Sequence, residues 1–383
     1  MLRITRGEES KLTSWYFEID RRLLGLILLL VAVGVITMFT AGAAQAAHMN
    51  PPRPWFYFIK KALPAYIIGL GCLFGFSMLN KQKVIKISIV GAILGILGLL
   101  LTVINPIKMK GSTRWAHIGG FGFMPADVLK PAFIVLTAWF LAKMRNVFGE
   151  NMFLDKRAWK FNWLSWWPFL ILFAICLLII FRHPDIGTAT LYVCVLFVMV
   201  LVAGMPLKFM PAMFGILASL GLIAYLSNSH IRERAMHMFS VEPRSQVWYS
   251  LNSIRHGGLF GSGDEAYVKD VLPESTNDFV YSAIAEDWGA ITACALVVLL
   301  FMVINSLINH AIHSKDRFVL YAITGTAALF GGQVCFNLMT ALHLLLNKGM
   351  TLPFISYGGV SFISFCVLFG MILALIREDT WNK

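Results

Sequence analysis

The sequence predicts an all-α polytopic membrane protein, with about ten transmembrane helices and a large extracytoplasmic loop between the seventh and the eighth. Hydrophobic residues make up 58% of its 383 residues and charged residues only 14%, whereas soluble domains carry about 25% charged residues. The apolar residues also form separate runs of about 20 residues, the length that a membrane-spanning helix needs. Lys and Arg cluster in the short connections on one side of these runs, which is typical of cytoplasmic loops.

Ten apolar runs mark the predicted transmembrane helices. Only the four residues "RHPD" separate the fifth run from the sixth, and the long eighth and ninth runs could be tilted or extend beyond the membrane. The chain thus divides into an N-terminal extension, residues 1–22, and a transmembrane domain, residues 23–383. The runs lie at about 23–44, 59–79, 84–104, 124–144, 166–182, 186–204, 209–227, 279–309, 317–346 and 356–376.

The distribution of Lys and Arg predicts the orientation of the spans. An even number of spans puts both termini on one side, and most basic residues of the short loops fall on that side, which we therefore predict to be the cytoplasm. The loop of about residues 228–278 then lies outside, and its aromatic residues favour an ordered loop. The net charge of +12 is spread over many loops, so it anchors the spans and does not indicate a nucleic-acid partner.

Charged residues lie at the ends of two predicted spans. In "MPADVLKPAF", Asp127 and Lys130 share one helix face. They either neutralise each other, or Lys130 reaches an acid on another span or an anionic ligand. In "FRHPDIGTAT", Asp185 is well placed to cap a helix, and Arg182 could pair with a phosphate. Ionisable residues in a membrane are candidates for function, so these four are candidate binding groups.

Two further stretches interrupt the apolar pattern. "GSTRWAHIGGFGF" places Arg114 among glycines and aromatic residues in an outer loop, which also fits an interfacial aromatic belt followed by a turn. "KGMTLPFISYGGVSF" places Ser356, Tyr357 and Gly358 at a span boundary. Non-helical backbone at membrane depth survives where it lines a cavity or is buried in protein. This stretch therefore predicts a polar-lined cavity or, alternatively, a structural kink.

The acids of "PESTNDFVYSAIAEDWG" are the most informative charges in the sequence. Asp278 immediately precedes the eighth span, where it is either a helix cap or a general base at the outer mouth of the span. Glu286 and Asp287 lie two turns further along and cannot cap this helix. An ionised carboxylate within a span is costly unless it is paired, neutralised or functional. The residues alone thus predict a polytopic protein with an outward-facing polar site.

Taken in order, these stretches resemble the SEDS family (shape, elongation, division and sporulation) of polytopic bacterial proteins. The resemblance covers nearly the whole chain and rests on "GSTRWAHIG" with "MPADVLKPA", "RHPDIGTA", "GGLFGSG", "LPESTNDFVYSAIAEDWG" and "TLPFISYGG". The stretch "NKGMTLPFISYGG" and the N-terminal extension are more similar to the division members than to the elongation or sporulation members. Asn277 and Val360 depart from the family pattern, which commonly has Thr and Ser at these positions.

The resemblance implies a peptidoglycan glycosyltransferase that polymerises the lipid-linked disaccharide lipid II at the outer face of the bacterial cytoplasmic membrane. It implies Asp278 as the essential acid, and a class B penicillin-binding protein and other division proteins as partners. One carboxylate suffices for an inverting displacement, because the lipid pyrophosphate leaves without a proton while the acceptor hydroxyl must lose one.

The resemblance also implies a substrate-binding set around Asp278. Cations must stabilise the leaving group, and a divalent cation, Mg²⁺ or Mn²⁺, is a candidate beside the basic side chains. The glycines of the outer loop would let its backbone lie close to the substrate. The predicted substrate-binding residues are Arg114, Asp127, Lys130, Arg182, Asp185, Arg255, Gly257, Gly258, Gly261, Gly263, Glu286, Ser356, Tyr357 and Gly358.

Two other functions are compatible with the sequence. A lipid II flippase would use acids at mid-depth, such as Glu286 and Asp287, as a relay. A polymerase instead needs its base at the outer mouth, where Asp278 lies. A noncatalytic scaffold that recruits the penicillin-binding partner through lipid-facing spans also fits the composition.

Overall fold

The protein was analysed as a computed structural model that describes residues 11–109, 112–118, 121–160, 162–183, 185–227, 232, 243–345 and 349–381. These residues form a helical bundle with one small sheet. The α-helices of the described residues are α1 Lys11–Glu18, α2 Arg21–Ala47, α3 Tyr57–Ser77, α4 Lys81–Ile104, α5 Pro125–Phe148, α6 Trp166–Arg182, α7 Ile186–Val202, α8 Met210–Ser227, α9 Gln246–Gly257, α10 Val268–Val271, α11 Val280–His313, α12 Arg317–Ala341 and α13 Gly359–Trp381. The strands are β1 Ile107–Met109, β2 Ser112–Ile118 and β3 Phe121–Phe123.

Long apolar helices confirm the predicted fold class. Within the described residues, seven helices are long and apolar enough to cross a membrane, namely α2, α3, α4, α5, α11, α12 and α13. Helices α6, α7 and α8 are apolar but provide shorter apolar stretches. Each predicted run coincides with one of these helices to within a few residues. Ten crossings stay a prediction, because a 17-residue helix reaches only about 25 Å and the hydrocarbon core is about 30 Å thick.

The centre of the bundle consists of α5, α12 and α13. Side chains of these three helices are mostly buried, whereas α3 and α4 leave most of theirs exposed, as helices facing lipid do. Phe330 of α12 packs against Phe365 and Phe369 of α13, with ring centroids 6.1 and 5.5 Å apart. Polar side chains on the central helices therefore face protein and not lipid, which is where ionisable groups in a membrane are tolerated.

Helix α11 is broken at Gly289, whose φ of 82° and ψ of 172° are not helical. A break in a helix leaves backbone N–H groups without partners, and such groups are costly where water is excluded. Here the N–H groups of Ala290 and Ile291 donate to the carbonyls of Gly258 and Leu259, at 2.9 and 3.3 Å. The outer loop therefore completes the hydrogen bonding of the broken helix.

The break divides the long eighth run into two parts. A continuous helix of 34 residues would be about 51 Å long, far more than the membrane core requires. Residues 280–288 instead form a buried segment inside the protein, next to the outer loop. The apolar helix that follows, residues 290–313, is about 36 Å long. The break therefore lies within the predicted run 279–309, and the segment that carries Glu286 and Asp287 precedes the break.

The outer loop folds onto α11 through two of its glycines. A Cβ at Gly257 would lie 2.0 Å from the carbonyl oxygen of Ala285, and a Cβ at Gly261 would lie 2.3 Å from that of Asp287. These contacts show that both glycines let the loop backbone pack closely against the helix, and their approach to the substrate stays a prediction. Gly258 and Gly263 have open space in place of a side chain. Residues 228–231 and 233–242 of the predicted loop lie outside the described part of the chain.

A three-stranded antiparallel sheet of order β1–β2–β3 connects α4 to α5. The sequence analysis predicted only a loop here. Trp115 pairs with Ile107 of β1, and Ala116 pairs with Phe123 of β3. Arg114 thus projects from the central strand of a sheet, whose hydrogen bonds fix the backbone more firmly than a free loop would.

Candidate functional site

Asp278 lies in the turn that precedes α11, and its side chain is partly exposed. Two distant helices hold the backbone of this turn. The side-chain amide of Asn337, on α12, donates to the carbonyl oxygen of Asp278 at 2.9 Å. Thr276 Oγ1 donates to Gln45 Oε1, on α2, at 2.6 Å. Because both anchors are polar groups on packed helices, the position of the Asp278 carboxylate is set by the bundle.

The non-helical segment 349–358 also supports this turn. Ser356 Oγ donates to the carbonyl oxygen of Asn277 at 2.5 Å. The backbone N–H of Tyr357 donates to the carbonyl oxygen of Thr276 at 2.8 Å. The irregular backbone predicted from the sequence is therefore buried against the turn that carries the acid. The side chain of Ser356 is buried, so it positions this turn, whereas Tyr357 and Gly358 are partly exposed.

Arg114 and Asp278 meet at Gly349. A Cβ at Gly349 would lie 3.1 Å from Arg114 Nη2 and 3.4 Å from Asp278 Oδ2. Gly349 also has a φ of 65°, so a side chain there would be strained as well as crowded. Arg114 Nη1 lies 3.9 Å from Asp185 Oδ2. The guanidinium of Arg114 thus lies close to Asp185 and beside the glycine that the Asp278 carboxylate also approaches.

Asp127 and Lys130 form a buried ion pair on α5, with 2.6 Å between Nζ and Oδ1. Lys130 Nζ also donates to Gln333 Oε1 at 2.8 Å, and Gln333 Nε2 donates to the carbonyl oxygen of Thr351 at 2.9 Å. The self-neutralised pair is the alternative that the described residues show, and the additional contact of Lys130 is with a neutral amide of another helix and not with an acid or an anionic ligand. The network links α5, α12 and the segment 349–358.

The other candidate charges are distributed around this centre. Asp185 caps α7 and accepts hydrogen bonds from the backbone N–H and the hydroxyl of Thr188, at 3.2 and 3.0 Å. Asp185 is buried, and the charged side chain next to it is that of Arg114. Arg182 and Arg255 are exposed, and neither forms an ion pair or a hydrogen bond within the described residues. The structure thus brings Arg114 to Asp278 and does not show such a contact for Arg182 or Arg255.

Glu286 holds the outer loop, whereas its predicted role in substrate binding stays a prediction. The carboxylate is completely buried. It accepts hydrogen bonds from the backbone N–H groups of Val268 and Lys269, at 2.8 and 2.6 Å, and from the hydroxyl of Ser253. His256 Nδ1 lies 3.0 Å from Oε1. Donors from the outer loop thus occupy the acceptor positions of Glu286, which has no exposed surface.

The sequence analysis missed the polar groups that position Asp278. Gln333 and Asn337 are amides four residues apart, and therefore on one face of a helix, within an otherwise apolar run. That spacing could have been noticed, because polar side chains within a span commonly bond to neighbouring helices. Gln45 carries the same kind of signal near the end of the first run. Gly349 carries no such signal, because its role depends on two side chains that are distant in sequence.

The described residues do not fit a resident metal ion. Among them, no group of three or more His, Cys, Asp or Glu side chains could hold a metal. The guanidinium of Arg114 lies 3.9 Å from the Asp185 carboxylate and beside the glycine that Asp278 approaches, so a cation of the protein already occupies this part of the site. A divalent cation bound by the protein is therefore not part of the chemistry that we derive below.

Comparisons with known proteins cover almost the whole chain. The family model of the cell cycle proteins FtsW, RodA and SpoVE matches residues 20–380. A probable peptidoglycan glycosyltransferase FtsW of Caulobacter vibrioides is 31% identical over 97% of this chain and 93% of its own length. A protein of the same name from Geobacter sulfurreducens is 28% identical over 93% of this chain and 95% of its own length.

Solved structures show the same fold. A chain from a study of the structural coordination of polymerization and crosslinking by a peptidoglycan synthase complex superimposes with a TM-score of 0.73, over 94% of this chain and 98% of its own. The rod shape determining protein RodA of Thermus thermophilus superimposes with a TM-score of 0.68, over 94% and 97%. Both are 22% identical to this chain, so they bear on its fold alone. On the family model and the full-length relatives, the chain belongs to the FtsW/RodA/SpoVE family of cell cycle proteins, the SEDS family that its motifs resemble.

Proposed function

We propose that this protein is a peptidoglycan glycosyltransferase, which polymerises lipid II during cell division with Asp278 as the general base. The observation that carries the proposal is the meeting of the Arg114 guanidinium and the partly exposed Asp278 carboxylate at Gly349. The names of the relatives in Caulobacter vibrioides and Geobacter sulfurreducens support the reaction class. The apolar helices, which are long enough to cross a membrane, suit a lipid-linked substrate.

The proposed reaction is a direct displacement at the anomeric carbon of the donor. The acceptor hydroxyl attacks this carbon, the bond from the carbon to the pyrophosphate oxygen breaks, and Asp278 takes the hydroxyl proton. The pyrophosphate leaves with its electron pair and needs no proton. A single carboxylate is then sufficient, unlike the acid and base pair that hydrolysis of an ordinary glycoside requires.

Arg114 has two roles in this proposal. Its positive charge lies beside the glycine that the Asp278 carboxylate also approaches, so it can hold this carboxylate in position for the acceptor hydroxyl. Its planar guanidinium also matches the oxygens of a phosphate in a two-pronged geometry, so it can stabilise the charge that develops on the leaving group. A divalent cation that arrives on the pyrophosphate of the substrate stays part of the proposal, and no step depends on it.

We further propose that the protein lies in the bacterial cytoplasmic membrane with both termini in the cytoplasm and Asp278 at the outer face. The N-terminal extension, residues 1–22, is then cytoplasmic. A class B penicillin-binding protein is the proposed partner, together with other division proteins. A structural neighbour that belongs to a peptidoglycan synthase complex supports such a pairing.

The geometry argues against a relay for lipid transport through the inner acids. Glu286 is occupied by four donors from the outer loop. Asp287 forms an ion pair with Lys269 of the same loop. Both carboxylates precede the break at Gly289 and serve to hold the loop. The flippase and the noncatalytic scaffold are therefore the weaker alternatives.

The direct test supplies the purified protein and a class B penicillin-binding protein, whose transpeptidase serine is blocked, with lipid II. Glycan strands separated by gel electrophoresis are the expected product. A parallel assay in vesicles measures the transfer of labelled lipid II between leaflets. Transfer without strands would support the flippase, and neither product in a complex that still assembles would support the scaffold.

A further inference from the structure

A polar cavity lies at the end of α12 that is distant from the Asp278 turn. It has a volume of about 440 Å³ and lies among the first residues of α4, the last turns of α5 and the connection from α11 to α12. Helix α12 starts at this cavity with Arg317 and reaches Asn337, which contacts the Asp278 turn, 20 residues later. The two sites are thus separated by about 30 Å along the helix axis.

The lining of the cavity has an excess of positive charge. Lys81, Lys143, Lys315 and Arg317 line it, and Asp316 is its one carboxylate. Asp316 is already paired with Lys81. Within the described residues, the other three cations have no ion-pair partner. Cations brought together from three separate elements repel one another unless an anion lies between them.

One wall of the cavity is apolar. Trp139, Ile85 and Phe318 lie beside the cations. Lys143 Nζ lies 4.6 Å from the centroid of the Trp139 ring. Tryptophan is enriched at the level of lipid headgroups, where one part of the side chain meets acyl chains and the other meets water. The cavity therefore combines an apolar wall with unpaired cations, as a site for an amphiphilic anion requires.

We propose that this cavity binds the phosphate headgroup of an anionic membrane phospholipid. Basic pockets between transmembrane helices at the cytoplasmic side are sites for such headgroups. The volume lies within the range of about 300 to 1,000 Å³ that is usual for small-ligand sites. The inference does not rest on the proposed glycosyltransferase activity, because the cavity shares none of its lining with the Asp278 site.

Anchoring of the spans by scattered basic residues is the alternative explanation of these charges. Lys83 and Lys86 provide an internal comparison. They are exposed near the start of α4, where the cavity residue Lys81 also lies, but they are outside the cavity. General attraction to an anionic surface would involve them as much as the cavity lysines. A headgroup site would depend on the cavity cations and be insensitive to Lys83 and Lys86.

The test measures lipid binding to the full-length protein in detergent by native mass spectrometry. Phosphatidylglycerol is titrated against phosphatidylcholine, on the wild type and on two double variants. The cavity variant is Lys143→Gln with Arg317→Gln, and the matched control is Lys83→Gln with Lys86→Gln. We expect the cavity variant to bind phosphatidylglycerol about thirtyfold more weakly, at about 1 kcal/mol for each of its two cations, and the control to stay within about twofold of the wild type.

Several outcomes would overturn the proposal. Equal losses in both double variants would mean general surface attraction, and no loss in the cavity variant would exclude the site. If inorganic phosphate at millimolar concentration displaces the lipid completely, the ligand is a soluble phosphate and not a headgroup. Should the cavity variant fail to fold, Lys315→Gln in the exposed connection replaces it, with an expected loss of about fivefold.

Discussion

Arg114 is the side chain on which the geometry around Asp278 depends. It projects from β2, reaches Gly349 and lies 3.9 Å from Asp185. Asp185 is itself fixed as the cap of α7 by Thr188, so the guanidinium has a rigid anchor on one side. The carboxylate on its other side is the one that remains partly exposed. The guanidinium therefore lies near the base, while part of the Asp278 side chain stays accessible to a substrate.

We predict that Arg114→Lys lowers the rate of lipid II polymerisation about tenfold and that Arg114→Ala lowers it about a hundredfold. Lysine keeps the charge but loses the planar fork that contacts two groups at once, and alanine loses both. Strand formation by each purified variant measures the effect, with Lys60→Ala as a control at an exposed basic residue of α3. A lysine variant as active as the wild type would mean that charge alone matters. An active alanine variant would remove Arg114 from the mechanism.

Individual residues differ in how well the sequence alone predicted them. Asp278 and Arg114 were found because charged residues within an apolar pattern are conspicuous and match the motifs of a family. Glu286 was equally conspicuous, but its function depends on donors from residues 253–269, and no local pattern reveals such a contact. Asn337 was missed because an amide in an apolar run is less conspicuous than a charge.

At the scale of elements, hydrogen bonds between α11 and the outer loop hold the loop next to the Asp278 turn. Gly289 breaks the helix, and carbonyls of the loop accept from the N–H groups that the break sets free. In return, the N–H of Ser262 donates to the carbonyl oxygen of Glu286 at 2.8 Å. The loop and the helix are thus one hydrogen-bonded unit, and the Asp278 turn lies directly before it.

We predict that Glu286→Gln detaches this loop. The neutral amide presents one acceptor oxygen in place of two, and its NH₂ group faces backbone donors, so buried N–H groups lose their partners. Amide hydrogen exchange of residues 246–271 should rise at least about tenfold, and polymerisation should fall with it. Glu265→Gln is the matched control, because Glu265 is exposed on the same loop. If Glu286→Gln loses polymerisation while the amide hydrogen exchange of residues 246–271 is unchanged, Glu286 acts in catalysis or substrate binding and does not hold the loop.

The secondary structure was largely predictable, and the exceptions have local causes. Runs of apolar residues located the long helices because the membrane imposes their length. The break in α11 was not found, since a single glycine is tolerated in many helices and only the contact with the loop makes it a break. The strands β1 to β3 were not found either, because they are short and their pairing is not visible in a single segment.

At the scale of the whole molecule, the bundle has two polar ends with different compositions. The Asp278 turn is surrounded by acids, amides and the guanidinium of Arg114, and the cavity at the other end is lined by lysines and an arginine. Positive charge at one end of the spans is what orients a protein in the membrane. The cations and the acid therefore predict opposite sides of the bilayer for the two sites.

We predict that a cysteine at position 265 is reached from outside the cell membrane and a cysteine at position 83 is not. The variants Glu265→Cys and Lys83→Cys would be made after replacement of the six native cysteines, which are all free. Labelling of intact spheroplasts with a membrane-impermeant maleimide should modify only the first, and lysis should expose the second. The reverse pattern would invert the orientation and place Asp278 in the cytoplasm, where the proposed reaction could not take place.

The measurement that tests the account most directly compares Asp278→Asn with the wild type in single-turnover polymerisation of lipid II. Asparagine keeps the shape of the side chain and leaves the backbone bond to Asn337 in place, so the variant should fold and bind its partner as before. Removal of a general base costs about 10² to 10⁴ in rate, whereas Asp264→Asn, at an exposed acid of the outer loop, should remain at the wild-type rate. If Asp278→Asn makes strands within about tenfold of the wild-type rate, Asp278 is not the base and the mechanism proposed for this site is wrong.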